Sequence, residues 1–287
     1  MLHRQLPPEF EKRPVVSPKL VHKIWRYLVG FIGKDTEPSQ GQQDLRERHE
    51  MLAAATVRPI IQAIEVQVAI ESGDQTNLFW DEQTVIKAGW VKDKTRYQLT
   101  GYTDLMALRT TAVMAKYQCK DDAEHAEDYN YSVQLATMKP FQPKIPAKLQ
   151  FELQSKTPSE DWQCCAVIVD FKARDKTLLL SQMILYLFGS MVATIGRKGG
   201  GKLPPLRAHG IVSDGDKWLV VIMDLFNLDL SGDKYETMNR VYVQEYQISK
   251  LSFKPENRDK LKQGDINVDL IGILQMFLLS DGAKFAV

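Results

Sequence analysis

Cysteine is scarce: the chain of 287 residues carries three, Cys119 and the adjacent pair Cys164 and Cys165. Thiols so placed supply neither a disulfide framework nor a zinc-ligand spacing, which fits a reducing, intracellular compartment. His22, His49, His125 and His209 do not join them in any zinc spacing. Net charge is equally small, with 37 Lys and Arg against 36 Asp and Glu, a formal +1. No global field draws the protein to nucleic acid or anionic lipid, so any such partner must be held by a local patch. An uninterrupted run of about 20 apolar residues is also missing, so no membrane-spanning helix and no membrane partner are expected. The opening MLHRQLPPEFEKRP puts charge and proline where a secretory peptide has its apolar core, and the expected location is the nucleus or cytoplasm.

What is present, 44% hydrophobic and 25% charged residues, is the make-up of an ordinary globular protein. Residues 19–34 repeat apolar side chains at helical spacing, while Lys19, Lys23, Arg26 and Lys34 meet no acidic neighbour, which predicts a basic amphipathic helix. A polar linker, 35–44, leads to a long helical pattern over 44–72 in which Pro59 predicts a kink or break. The period then changes to that of strands at 84–90 and 96–103, a hairpin expected to end at Asp104. LMALRTTAVMAKYQ reads as helical or irregular, and an insertion is expected over about 115–160.

The run CAVIVDFK (165–172) has the continuous apolar character of a central strand buried on both faces. A helix is expected at 177–194, strands at 206–213, 217–225 and 240–248, and a last helix at 268–280. The order predicts an α/β fold with a mixed central sheet flanked by helices. Residues 1–43 read as an N-terminal extension and 44–287 as the main domain, with a further strand and helix at its C-terminal end.

Three features carry chemistry. Gly101-Tyr102-Thr103-Asp104 sets a carboxylate at a strand end, and Asp170-Phe171-Lys172 sets a carboxylate and an ammonium on one face of the buried strand. Charges at the mouth of an oily strand are costly without a use. Gln182 and Tyr186, four apart, share a face of the following helix. Two carboxylates suit Mg²⁺ or Mn²⁺, and a lysine beside them suits a phosphoryl centre.

These motifs, in this order, resemble the PD-(D/E)XK (restriction-endonuclease-like) nuclease superfamily, in particular its RecB-type and fungal-oomycete branches, over about residues 44–225. HGIVSDGDKWLVV (209–221) is similar to the strand-turn-strand that follows the active-site helix in such domains. The resemblance implies a restriction-endonuclease-like core, metal binding by Asp104 and Asp170, and catalysis by Lys172. It also implies an acidic residue in the first core helix, for which Glu65 leads over Glu50 and Glu71. Gln182 and Tyr186 would support the site and touch DNA. Two departures stand out: the separation of Asp104 from Asp170 is long, and Asp170 fills a slot more often held by Glu; alternatively, a second strand within 148–155 would substitute Glu152 for Asp104.

The expected function is metal-dependent hydrolysis of phosphodiester bonds, in DNA before RNA. The alternative is an inactive nuclease-fold module that binds nucleic acid or a protein partner; a host-acting effector and a homodimer are compatible with the same residues. The loop 196–202 fails as an ATP-binding loop, because Leu203 stands where Ser or Thr should be and the loop follows a helix. Its Arg197, Lys198 and Lys202, with Arg207, are candidates for phosphate contacts instead.

Overall fold

The computed structural model describes residues 2–32, 42–72, 78–92, 95–109, 165–172, 180–195, 206–226 and 238–279. In chain order the elements are β1 (Leu2–His3), α1 (Pro18–Phe31), α2 (Gln42–Ser72), β2 (Leu78–Lys92), β3 (Thr95–Arg109) and β4 (Cys165–Phe171). They continue with α3 (Leu180–Ile195), β5 (Leu206–Ser213), β6 (Lys217–Phe226), β7 (Met238–Gln247) and α4 (Val268–Leu279). Six full strands and the two-residue β1 make one sheet, ordered β1-β7-β6-β5-β4-β3-β2. It is mixed: β4 runs parallel to β5 and β1 to β7, while the remaining neighbours are antiparallel. β4, α3 and β5 form a crossover unit, the connection that adjacent parallel strands require.

Helices cover both faces. Val167, Val169 and Phe171 of β4 pack in one apolar cluster with α1, α2 and α4, whereas Ile168 packs in a second cluster with α3. The period-two alternation of β4 thus feeds two cores, which explains its nearly unbroken apolar sequence. α1 starts on Ser17, whose Oγ accepts the Leu20 N–H at 3.2 Å, with Pro18 in the first helical turn. Its Leu20, Val21, Ile24 and Leu28 belong to the same cluster as α2, so the segment before residue 43 shares the main core.

Three expectations change. α2 runs as one helix through Pro59. The hairpin strands extend to 78–92 and 95–109, so Asp104 lies within β3 and not at its end. LMALR is strand, with Leu105, Met106 and Ala107 all buried. The segment Glu50–Glu71 is long and apolar enough to cross a membrane by length and composition, yet one side of it, from Ala53 through Ile60 and Ile64 to Val68, is core. The linker 35–41, the insertion 115–160 with Glu152, and the loop 196–202 lie outside the described residues.

Candidate functional site

β3 and β4 pair from Leu108 and Cys165 as far as Leu105 opposite Val169. One step further stand Asp104 and Asp170. There the ladder is capped by a side chain: the Phe171 N–H donates to Asp104 Oδ2 at 2.6 Å. β4 continues to pair with β5, and the Lys172 N–H donates to the Ser213 carbonyl at 2.9 Å. The two carboxylates therefore sit at the point where β3 leaves β4, beside the strand that carries Lys172.

Asp170 is 2% exposed. Lys172 Nζ stands 2.7 Å from its Oδ2 as an ion pair, and no other donor reaches that oxygen among the described residues. Burial, chiefly, raises the Asp170 carboxyl from 3.8 to about 7; Lys172 draws it back, and the neighbouring Asp104 carboxylate raises it again. Phe171 turns to the opposite face, where the Arg58 guanidinium lies 5.4 Å from its ring centre. Sequence reasoning passed over Arg58, although it is the one basic residue in the apolar stretch MLAAATVRPIIQAI (51–64).

Gln182 and Tyr186 meet as their spacing requires, with Gln182 Nε2 donating to the Tyr186 hydroxyl at 2.6 Å. The ring of Tyr186 fills the space a side chain would need at Gly101: a Cβ there would stand 2.5 Å from Tyr186 Cε1. At Gly210 of β5 a Cβ would likewise run into the Met183 sulfur. Two glycines let α3 lie directly against β3 and β5. One of them opens the stretch that ends in Asp104, so the helix seat and the carboxylate are three residues apart on one strand.

Other candidate residues are engaged elsewhere. Glu65 Oε2 accepts the indole N–H of buried Trp80 at 3.0 Å, and Glu71 accepts from Gln67 at 2.6 Å on the surface. Among the described residues no group of three or more His, Cys, Asp or Glu could hold a metal ion, so Glu65 does not join Asp104 and Asp170. Arg207 is not available for phosphate either. Its guanidinium grips Asp224 through two bonds of 2.7 and 2.9 Å, pairs with Glu9, and lies 5.9 Å from the Phe10 ring centre. Pairing across β5 and β6 sets Arg207 directly opposite Asp224, which accounts for that commitment. Arg197, Lys198 and Lys202 lie outside the described residues.

No family model matches the chain, and no curated protein matches it significantly.

Proposed function

We propose that the chain is a metal-dependent phosphodiesterase of the restriction-endonuclease-like type, acting on nucleic acid and on DNA before RNA. The observation that carries the reading is the meeting of Asp104, Asp170 and Lys172 at one junction, with a buried carboxyl oxygen approached among the described residues by the Lys172 ammonium. A desolvated carboxyl oxygen of that kind, once deprotonated, suits a hard divalent cation, and Asp104 and Asp170 would hold Mg²⁺ or Mn²⁺. When bound, such an ion supplies Lewis acidity toward a phosphate oxygen. The element order also supports the reading. A long helix precedes the two strands carrying GYTD and DFK, the QMILY helix follows, and the strand pair 206–226 comes next.

The protein's own groups have separate tasks in this scheme. Asp104 and Asp170 concentrate negative charge that repels the phosphate until a cation offsets it. Lys172 neutralises part of that charge at 2.7 Å and presents donors to the oxygens on which charge builds as the phosphorus–oxygen bond breaks. The Phe171 amide fixes Asp104 by one oxygen. Gln182, Tyr186 and Gly101 lock the helix against the strand bearing Asp104, so the pair of carboxylates is held by packing.

A second reading, a nuclease-fold module that binds without cutting, is favoured by one specific observation: among the described residues only two carboxylates converge, and one oxygen of Asp104 is already engaged. Incubation of labelled single- and double-stranded DNA and RNA with Mg²⁺, Mn²⁺ or a chelator separates the two. Metal-dependent cleavage should fall by ~10²-fold or more in Asp170→Ala and in Lys172→Ala. Nucleic acid bound but uncut by the parent chain would establish the binding module, whereas variants that cut as well as the parent would remove Asp170 and Lys172 from the catalytic assignment.

A further inference from the structure

The basic face of α1 is used by nothing described so far. Its apolar residues Leu20, Ile24 and Leu28 are buried in the core, and away from them Lys19, Lys23 and Arg26 form an exposed stripe at i, i+4 and i+7. That stripe is about 10 Å long. Its neighbour is the turn around 254–262. The indole N–H of Trp25 donates to the Leu261 carbonyl at 2.9 Å, and Gln263 donates to the Pro18 carbonyl at 3.2 Å. The turn adds exposed Lys254, Arg258, Lys260 and Lys262, with Glu256 and Asp259 as its exposed acids. None of the seven cations has an acidic partner within ion-pair distance among the described residues.

We propose that α1 and the 254–262 turn form a cationic ledge that binds the phosphate backbone of nucleic acid; the proposal rests on the nuclease reading for the identity of the polyanion. In a chain of formal +1, seven cations without an acidic partner among the described residues, brought together from positions more than 200 residues apart, are a local concentration of charge of the sign phosphates need. The ledge lies toward the end of the strands at which Lys172 stands, on the sheet face opposite Asp170 and Lys172. Phe171 pairs with Ser213, Ser213 with Trp218, and Trp218 with Tyr246, a single row across the sheet. Tyr246 in turn borders the groove lined by Pro18 and Val21 of α1. Three strand spacings, about 14 Å, separate the row's two ends. A lipid surface fits less well. The apolar side of α1 is consumed in the core, and none of the exposed large hydrophobic residues lies on α1, so the helix has nothing to insert.

The test is fluorescence anisotropy of a labelled 30-base-pair duplex with the full chain in chelator, over 50–200 mM salt. K19Q/K23Q/R26Q should weaken binding at least tenfold at 100 mM salt and flatten the slope of log K against log salt by about 2 to 3. K254Q/K260Q should give the same effect at smaller size, and K19R/K23R should retain parental binding. Binding within twofold of the parent in both glutamine variants, at unchanged circular dichroism, overturns the ledge and leaves the nuclease reading intact if cleavage persists. Loss of binding in a chain that never cuts keeps the ledge and removes the nuclease. Tighter binding to phosphatidylserine vesicles than to duplex, lost in the glutamine variants, overturns the nucleic-acid assignment in favour of a membrane.

Discussion

At Asp170 the carboxyl titrates near neutrality, so its effect on folding changes sign of slope with occupancy of the site. Its folded value of about 7 lies above the unfolded 3.8, and the protonated form is the one the fold prefers. The associated stability is complete below the unfolded value and is lost as pH rises through about 7. In chelator, the urea midpoint should fall between pH 4 and pH 8, and Asp170→Asn should lack that component of the fall. An identical slope in the variant would mean that another group is titrating. Mg²⁺ should restore more stability at pH 8 than at pH 5.5, because binding requires the deprotonated oxygen. The shared face of Asp170 and Lys172 was legible in the sequence, since a strand's period of two admits no other arrangement. The commitment of Arg207 was not, since its partners Asp224 and Glu9 lie 17 and 198 residues away.

Secondary elements were most legible where one periodicity ruled. CAVIVDF declared a doubly buried strand, and the structure sets it between β3 and β5 with a core on either side. LMALR misled for the same physical reason: its Leu105, Met106 and Ala107 are buried on both faces of the sheet, and short apolar runs carry no period that separates strand from helix. The glycines of β3 and β5 were visible as letters, but their purpose depends on a helix laid across them. Gly101→Ala should cost about 1–3 kcal/mol in urea denaturation, through the collision with Tyr186. In a Tyr186→Leu background the penalty should shrink. An undiminished penalty would locate the cost in the β3 backbone and not in the ring.

For the whole molecule, the boundary drawn at residue 43 followed composition, a polar linker after a basic helix, and composition does not report what packs against what. The N-terminal segment is built into the body. β1 pairs with Val241 and Tyr242, Arg13 bonds Asp269 at 2.5 Å, and Phe10 packs edge-on against Phe277 with centroids 5.7 Å apart. Phe10→Ala should therefore destabilise the entire fold by about 3–5 kcal/mol in thermal unfolding followed by circular dichroism. A loss below about 1 kcal/mol would show that the segment contributes little to the core.

The same closure of early residues onto late ones has a consequence for biosynthesis. Trp25 emerges from the ribosome 236 residues before the carbonyl that receives its indole N–H. At ordinary elongation rates this is a wait on the order of 10 to 50 s. Throughout that interval α4 is missing from the cover of the α1 apolar stripe, and the core stays incomplete. Translation that stops short of α4 leaves a product with an open core, which protein quality control would treat as waste and not as a smaller working protein.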